Sequence, residues 1–211
     1  MVKPPLLVAT RSAGKQREIK RILSDIPYRL VFPDDVGLYE KREEDNLEDA
    51  GSFDGNARRK AEYFSRLSRL PTVADDSGIE VLSLRGAPGV RSKRFALAKP
   101  GQEQDVANNA ELLRRLAGAP PERRRARYRC AVAYLRNPAA LPVTFDGICQ
   151  GVILEEPRGS GGFGYDPLFL SDELGVSFGE ADADAKHSVS HRGRAFRAFA
   201  DWLRSQPPQA K

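Results

Sequence analysis

Two adjacent carboxylates, Asp75 and Asp76, follow a short apolar run and stand directly before Ser77-Gly78. The run at residues 72–74 predicts a buried strand, and Ser77-Gly78 predicts a turn of the backbone. Ligands of open α/β sheets gather beyond the carboxyl ends of strands, which makes these acids candidates for catalysis. Because successive strand residues face opposite ways, at most one of them should enter a given cleft unless the turn rotates them. The alternative is a carboxylate that caps the turn through an Asx-type hydrogen bond.

The segment from Ala9 to Gln16 has the strand–loop–helix setting of a phosphate-binding loop. Backbone N–H groups at the start of a helix favour anions, and Lys15 adds a positive charge. The segment does not match a P-loop, because Ala9 replaces the first glycine and Gln16 replaces the magnesium-binding Ser or Thr. An ordinary strand-to-helix turn is the alternative interpretation.

A glycine-rich stretch at residues 159–164 formally matches the pattern G-x-G-x-x-G. A dinucleotide-binding fingerprint must open a helix, whereas Tyr165-Asp166-Pro167 follows here, so we reject that interpretation. Aromatic faces stack on bases, so a flexible loop that presents Phe163 or Tyr165 to a flat ligand is the favoured alternative.

His187 and His191 are four residues apart, a spacing that suits zinc on a helix. No glutamate accompanies them as in H-E-x-x-H, and no cysteine is near them in the sequence, so zinc is the disfavoured interpretation. Together with Lys186 and Arg192, His191 instead forms a basic cluster at a predicted helix start. Such a cluster suits the recognition of an anion or a carbonyl group.

Residues 123–129, Arg-Arg-Arg-Ala-Arg-Tyr-Arg, form the most basic run of the chain. A net charge of +5 and a pI near 9.3 suit an anionic partner, either a nucleic acid or a nucleotide. Nucleic-acid surfaces usually interleave several aromatic residues, and only Tyr128 lies in this run. A solvated strand entry is therefore favoured over an RNA-binding site.

Hydrophobic periodicity predicts seven strands, at residues 6–10, 28–32, 70–74, 79–84, 127–135, 143–146 and 148–154. It also predicts four helices: one after Gly14, one at about 53–67, one at 102–117 and one after the candidate N-cap Ser190. Their apolar faces are predicted to carry Ile19, Ile22 and Leu23 in the first, Phe53, Ala57, Ala61, Phe64 and Leu67 in the second, Val106, Ala110, Leu113 and Leu116 in the third, and Phe196, Phe199 and Leu203 in the last. The acidic stretch 34–54 has few apolar residues and is predicted to be an exposed loop. Early alternation of helices and strands, followed by consecutive strands, is typical of an α/β fold with a mixed sheet. Two lobes around a cleft would bring the strand ends and loops together.

The length of 211 residues suits one large domain, or two closely packed lobes over residues 1–211. Contents of 40% hydrophobic and 30% charged residues are typical of a soluble globular protein. The first apolar run is too short for a signal peptide, and no segment approaches the roughly 20 apolar residues of a membrane span. Cys130 and Cys149 lie in apolar runs and are predicted to be buried thiols, which favours a cytoplasmic location. Residues 205–211 are predicted to fray.

Six segments, in this order, carry a resemblance that spans nearly the whole chain. They are Leu7-Val8-Ala9-Thr10 through Gly14-Lys15, Ser52-Phe53 with Asn56-Ala57, Ala74-Asp75-Asp76-Ser77-Gly78, Gly86-Ala87-Pro88-Gly89-Val90, Gly161-Gly162-Phe163-Gly164-Tyr165-Asp166-Pro167, and Ser190-His191-Arg192-Gly193. With them the chain resembles the Ham1-like family of inosine/xanthosine triphosphate pyrophosphatases, which clear non-standard purine nucleotides. The resemblance implies a long central mixed sheet with flanking helices, two lobes around an active-site cleft, and a homodimer.

The resemblance also implies an activity: the hydrolysis of ITP, dITP and XTP to the nucleoside monophosphate and pyrophosphate, with Mg²⁺ as cofactor. Asp76 would help to bind magnesium and activate water, and Glu48 would be a second metal-site carboxylate. Lys60 would contact phosphate, and Ser77 would touch the substrate. The triphosphate would be held by the loop residues Thr10, Arg11, Ser12, Ala13, Gly14 and Lys15. The base pocket would be formed by Phe163, Gly164, Tyr165, Asp166, Lys186, His191 and Arg192.

One departure from the family pattern lies in the phosphate-binding loop. The family commonly has Thr-Gly-Asn before the Gly/Lys element, whereas this chain has Thr10-Arg11-Ser12. Ser12 lacks the amide donors of Asn, and Arg11 adds a charge beside the phosphates. Several other acids crowd Glu48 in the sequence, namely Glu43, Glu44, Asp45 and Asp49.

Three other functions compete with this interpretation. A P-loop-like nucleotide-binding module would depend on Lys15 alone. An RNA-binding protein would depend on residues 123–129, and its affinity would fall steeply with salt. Within the enzyme class, the rival is a house-cleaning pyrophosphatase that acts on modified pyrimidine or standard nucleotides. The resemblance favours the purine enzyme, with no nucleic-acid or membrane partner.

Overall fold

The computed structural model describes residues 3–206, and its centre is a six-stranded sheet of order β2-β1-β3-β4-β5-β6. The strands are β1 Pro5–Val8, β2 Arg29–Val31, β3 Thr72–Val81, β4 Arg125–Leu135, β5 Val143–Ile153 and β6 Phe169–Ser171. β1 runs parallel to both β2 and β3, whereas β5 and β6 are antiparallel. The sheet is therefore mixed, and the predicted α/β class is confirmed.

Five α-helices accompany the sheet within residues 3–206. They are α1 Ala13–Ile22, α2 Phe53–Ser68, α3 Gln104–Arg115, α4 Ala183–Val189 and α5 His191–Ser205. No helix in this part of the chain is long and apolar enough to cross a membrane. Residues 207–211 lie outside the described residues, so the fraying expected there stays a prediction.

The chain divides into two compact units. The first comprises the described parts of Met1–Asp76 and Arg192–Lys211 together with Cys130–Gly147. The second comprises Ser77–Arg129 and Ile148–His191. Strands β3, β4 and β5 contribute residues to both units.

Each unit has its own hydrophobic core. In the first unit, Leu6 of β1, Ile19 of α1 and Phe199 of α5 are completely buried in one cluster. In the second, Ile79 of β3 and Leu112 of α3 are completely buried in another. Burying one such side chain stabilises the fold by about 1.5–3 kcal/mol. The predicted apolar spacing of the first and last helices is confirmed, since these helices supply the first core.

Strand β3 differs from its prediction at the carboxylates. The sequence predicts two strands around an Asp-Asp-Ser-Gly turn, but β3 is continuous over Thr72–Val81. Gly78 does not mark a turn. It allows another segment to pack closely against β3, since a Cβ at this position would overlap Ser92 Oγ and the carbonyl oxygen of Gly89. Ser92 Oγ accepts a hydrogen bond from the backbone N–H of Ile79 at 2.9 Å. The packing of the 3₁₀ segment Gly89–Arg94 onto β3 therefore explains the glycine.

We expect Gly78→Ala to destabilise the protein by about 1–3 kcal/mol, the usual cost of an added methyl in a packed site. The free energy of unfolding in urea measures the loss. Adding Ser92→Gly should recover only part of it, because the Gly89 carbonyl still opposes the new methyl group. An unchanged unfolding midpoint in Gly78→Ala would contradict this account of the glycine.

Several other elements depart from their predictions. Gly147 does not interrupt β5, which replaces the two predicted strands. The acidic stretch contains two 3₁₀ helices, Pro33–Val36 and Arg42–Glu48, rather than only loop. The short elements α4 and β6 were not predicted, because seven and three residues give little periodicity. Leu67 and Val106, predicted on buried helix faces, are 42% and 57% exposed.

The basic run 123–129 is used largely within the second unit. Arg124 is buried, contrary to the expected solvated strand entry. Its guanidinium donates to three backbone carbonyls at 2.6–2.9 Å, those of Leu116, Ile153 and Leu154. Two further arginines form ion pairs at 2.6 Å, Arg125–Asp172 and Arg127–Glu80. Ion pairs with acids of the unit thereby match the charges of two arginines of this run, and a third arginine is bound by backbone carbonyls.

Candidate active site

Asp76 of β3 is held by two side chains of α2. Its Oδ1 accepts from Lys60 Nζ, and its Oδ2 accepts from Asn56 Nδ2, both at 2.9 Å. Residues four apart share one face of a helix, so α2 presents both donors together. The helix is capped by Ser52, whose side chain accepts from the backbone N–H of Gly55 at 3.1 Å. The local sequence thus fixes the register that orients this carboxylate.

A second carboxylate, Glu48, meets the same ammonium group. Glu48 Oε1 lies 2.9 Å from Lys60 Nζ, as Asp76 Oδ1 does. Burial opposes the charge on Lys60, but the charges of Asp76 and Glu48 outweigh it and raise the pKa of the ammonium. One charged group therefore contains Lys60, Glu48 and Asp76, and both of its carboxylates face the Lys60 ammonium.

These two carboxylates supply a donor set that fits Mg²⁺. Within residues 3–206 there is no group of three or more His, Cys, Asp or Glu side chains arranged to hold a metal by themselves. Magnesium in nucleotide enzymes commonly takes one or two carboxylates and completes its shell with phosphate oxygens and water. Two hard carboxylates that converge on a cationic position match that requirement.

Asp75 faces a different set of partners, as the alternation of a strand requires. Its Oδ2 lies 3.0 Å from Lys15 Nζ and 3.4 Å from Arg192 Nε. Burial opposes the charge of Asp75, yet Lys15 and Arg192 hold the pKa of this carboxyl well below its usual range. Arg192 also pairs with the buried Glu18 of α1. The result is a network of two acidic and two basic side chains, of which Lys15 is partly exposed and the other three are buried.

The predicted phosphate-binding loop leads into α1. Ser12 is its N-cap, and the Ser12 side chain accepts from the backbone N–H of Lys15 at 3.5 Å. Thr10 is tied to the loop by its Oγ1, which accepts from the backbone N–H of Ser12 at 3.3 Å. Ala13 and Gly14 form the first turn of the helix. The positive end of a helix therefore lies beside Lys15, a combination that favours a phosphate group.

Arg11 is directed elsewhere. Its guanidinium binds Glu44 with two hydrogen bonds of 2.7 and 2.8 Å, and Asp34 with one of 2.8 Å. It also donates to the carbonyl oxygen of Leu38 at 2.8 Å. The extra charge predicted beside the phosphates is thus matched by acids of the acidic stretch.

In the second unit, Asp166 organises an aromatic and basic cluster. Its Oδ2 accepts from Lys186 Nζ at 2.6 Å and from the backbone N–H of Phe163 at 2.8 Å. Lys186 Nζ lies 5.3 Å from the centre of the Phe163 ring. The hydroxyl of Tyr128 donates to Asp166 Oδ1 at 3.3 Å. One carboxylate thereby fixes both the flat ring and the cation beside it.

His191 joins this cluster by stacking. Its ring lies parallel to that of Tyr128, with centroids 4.5 Å apart. Arg192, the next residue, contacts the buried acids of the first unit instead. The two residues of the predicted His-Arg pair therefore contribute to different clusters.

Two residues of α3 hold the glycine loop beside Phe163. Asp105 Oδ2 accepts from the backbone N–H of Gly164 at 2.7 Å, and Asn109 Nδ2 donates to its carbonyl oxygen at 3.0 Å. Tyr165 is buried in the core of the second unit, and its hydroxyl donates to the carbonyl oxygen of Ser92 at 2.8 Å. The side chain of Tyr165 thus anchors the loop to the core of the second unit, whereas that of Phe163 is only half-buried.

The structure brings most of the sequence-predicted residues into these two clusters. Ser77 follows Asp76 in β3 and is half-buried. Sequence reasoning assigned no role to several residues that hold the predicted ones in place, namely Glu18, Asn56, Asp105, Asn109 and Tyr128. The signal available for Asn56 was its spacing from Lys60, which places two polar residues on the apolar face of α2.

Known proteins are similar to this chain over nearly its whole length. A model of the Ham1 family matches residues 6–202. A dITP/XTP pyrophosphatase of Geobacter sulfurreducens is 45% identical over 199 residues, which cover 94% of this chain and 96% of that relative. One from Thermus thermophilus is 40% identical, over 96% of this chain and 93% of that relative. The structure of a HAM1 protein from Coxiella burnetii aligns with a TM-score of 0.84 and 29% identity, over 96% of this chain and 100% of that chain. The chain belongs to the Ham1 family.

Proposed function

We propose that this protein hydrolyses the non-standard purine nucleoside triphosphates ITP, dITP and XTP to the nucleoside monophosphate and pyrophosphate. The observation that carries the proposal is the meeting of Glu48 and Asp76 at the Lys60 ammonium, 2.9 Å from each. The activity in the names of relatives that are 40–45% identical over nearly the whole chain supports it. Removal of such nucleotides from the nucleotide pool is the resulting role.

The triphosphate is bound by positive charge in the first unit. Lys15 and Lys60 supply ammonium groups, and the loop residues Thr10 to Gly14 supply backbone N–H groups at the start of α1. Each lysine is paired with a carboxylate in the free protein, so it is held in place before the substrate arrives. Binding therefore needs little reordering of these side chains.

Glu48 and Asp76 are the residues that would hold Mg²⁺. A bound Mg²⁺ neutralises the charge of bridging phosphate oxygens and stabilises the charge that develops as the bond breaks. Asn56 fixes one oxygen of Asp76, which leaves the carboxylate a single orientation.

Asp76 orients the water that attacks the α-phosphorus in line, and it accepts the proton that the water loses. The bond from the α-phosphorus to the bridging oxygen breaks, and pyrophosphate leaves. An aspartate is a weak base, so positioning of the water contributes more than proton abstraction.

The base is bound by the cluster of the second unit. Phe163 stacks on the purine, and Lys186, 5.3 Å from the centre of the Phe163 ring, is a donor. His191, which stacks on Tyr128 in the same cluster, is a second donor. A 6-oxo purine has an acceptor where adenine has an amino donor, so Lys186 or His191 favours the oxo base. A site that leaves a buried polar group unpaired can discriminate by roughly 10⁴-fold. Rejection of guanine additionally requires donors that face C2.

We also propose that the enzyme is a cytoplasmic homodimer without a nucleic-acid or membrane partner. Cys130 and Cys149 are buried and not joined in a disulfide, which supports a reducing compartment. The ion pairs of Arg125 and Arg127 support a structural use of the basic run over RNA binding. The dimer follows from the family resemblance, and light scattering of the purified protein tests it.

The experiment that tests the function is pyrophosphate release from ITP, dITP, XTP, GTP and ATP in the presence of Mg²⁺. We expect fast turnover of the first three and loss of activity with a chelator. Equal turnover of all five would contradict the base selection and favour a pyrophosphatase for standard nucleotides. Release of no pyrophosphate from any of them would contradict the enzyme and favour a nucleotide-binding module.

A further inference from the structure

Arg11 connects the phosphate-binding loop to an acidic arm, which we define as residues 34–48. Its Nε and Nη2 bind the two oxygens of Glu44 at 2.7 and 2.8 Å, a bidentate geometry. Its Nη1 binds Asp34 at 2.8 Å, and Nη2 also donates to the carbonyl oxygen of Leu38 at 2.8 Å. The guanidinium thus contacts three points of the arm, spaced over eleven residues.

The arm carries Glu48, and side chains of α2 and of the phosphate-binding loop hold its last turn. Within the 3₁₀ helix Arg42–Glu48, Glu43 accepts from the hydroxyl of Tyr63 at 2.7 Å, and Glu48 pairs with Lys60. Both of those partners belong to α2. Glu44 is the residue of this turn that pairs with the phosphate-binding loop, through Arg11. The turn is therefore held by α2 through Glu43 and Glu48, and by Arg11 through Glu44.

The environment of Arg11 favours a permanent contact. The side chains of Arg11 and Glu44 are only 19% and 13% exposed, so this pair is shielded from water, unlike a surface ion pair. The guanidinium also lies over the ring of Phe64, 5.8 Å from its centre. A phosphate group would have to break four hydrogen bonds to recruit Arg11, whereas Lys15 of the same loop is held by an ion pair with Asp75.

We propose that Arg11 is a positioning residue, which holds the acidic arm so that Glu48 stays beside Asp76, and that it does not contact the triphosphate. This inference rests on the proposed function, in which Glu48 and Asp76 hold Mg²⁺. Residues that orient metal ligands typically change metal affinity or activity by about 10- to 100-fold when they are removed. Loss of Arg11 should therefore weaken the response to metal and leave nucleotide binding at saturating Mg²⁺ nearly unchanged.

The test compares Arg11→Ala, Glu44→Ala and the double variant with wild type, with Arg58→Ala as a matched control. Arg58 is a half-exposed arginine that pairs only locally with Asp54 on α2, at 2.9 Å. Three quantities are measured: hydrogen–deuterium exchange of residues 38–48 in the free protein, affinity for Mn²⁺ by electron paramagnetic resonance without nucleotide, and the Mg²⁺ and ITP dependence of pyrophosphate release.

We expect faster exchange in residues 38–48, Mn²⁺ affinity about 10- to 100-fold weaker, and a matching rise in the Mg²⁺ needed for half-maximal activity. The KM for ITP at saturating Mg²⁺ should stay within about twofold. The double variant should behave like Arg11→Ala, since Arg11→Ala already removes the contact with Glu44. Arg58→Ala should resemble wild type in all three.

Two results would overturn the proposal. One is unchanged exchange and Mn²⁺ affinity in Arg11→Ala. The other is a higher KM for ITP at saturating Mg²⁺ in Arg11→Ala but not in Glu44→Ala, which would mean that Arg11 contacts the phosphates. If wild type releases no pyrophosphate, the proposed function fails by itself, and the exchange and Mn²⁺ measurements still decide whether Arg11 positions the arm.

Discussion

Asp76→Asn is expected to lower kcat for ITP by about 10²- to 10⁴-fold, the range that a positioned acid–base group contributes. The substitution preserves size and can still accept from Asn56, but it removes the charge that faces Lys60 at 2.9 Å. It also removes one of the two carboxylates that would hold Mg²⁺. The loss should appear in kcat rather than in KM, because Lys15 and the start of α1 still bind the triphosphate.

The measurement is steady-state pyrophosphate release at saturating Mg²⁺, with circular dichroism and urea unfolding to check that the variant is folded. Asp54→Asn is the matched control, since Asp54 lies on the same helix as Lys60 but pairs only with the half-exposed Arg58. It should keep wild-type kinetics. Equal kcat in wild type and a folded Asp76→Asn variant would remove Asp76 from the mechanism.

The separation of the two neighbouring acids could be predicted from the sequence. Asp75 and Asp76 lie at consecutive positions of a strand, and alternation alone sends their side chains in opposite directions. The turn predicted after them was wrong, because the Ser-Gly pair that signals a turn can equally mark a close approach. In β3 the glycine marks a close approach, since the absence of a side chain at Gly78 leaves room for Ser92 and the carbonyl group of Gly89. A local pattern cannot show which distant segment will pack against it.

The partners of charged residues were harder to predict than the elements that carry them. Arg11 pairs with Glu44, which is 33 residues away, and sequence reasoning placed it beside the phosphates. Arg124 lies in a run that looks solvated, yet it is buried against three backbone carbonyls. The same arginine side chain can bind a ligand, a carboxylate or a carbonyl group, and only the tertiary fold decides among them.

Asp75→Asn is expected to destabilise the protein by about 3 kcal/mol or more, because removing one partner of a buried ion pair leaves an uncompensated buried charge. Asp75 and Arg192 are almost completely buried, and Arg192 would lose the charge of Asp75 while it keeps that of Glu18. Lys15 is partly exposed and can turn toward water, so most of the loss should come from Arg192.

Asp25→Asn provides the matched control for this variant. Asp25 also pairs with an arginine, Arg204, at 2.7 Å, but its side chain is 68% exposed. An exposed pair of this kind contributes about 0–1 kcal/mol. Urea unfolding of both variants therefore separates burial from pairing, since the chemical change is identical and only the surroundings differ. The contrary result is a loss of unfolding free energy in Asp75→Asn that is no larger than the loss in Asp25→Asn. Such a result would mean that the network around Asp75 adds no more stability than a surface ion pair, and that its role is confined to the active site.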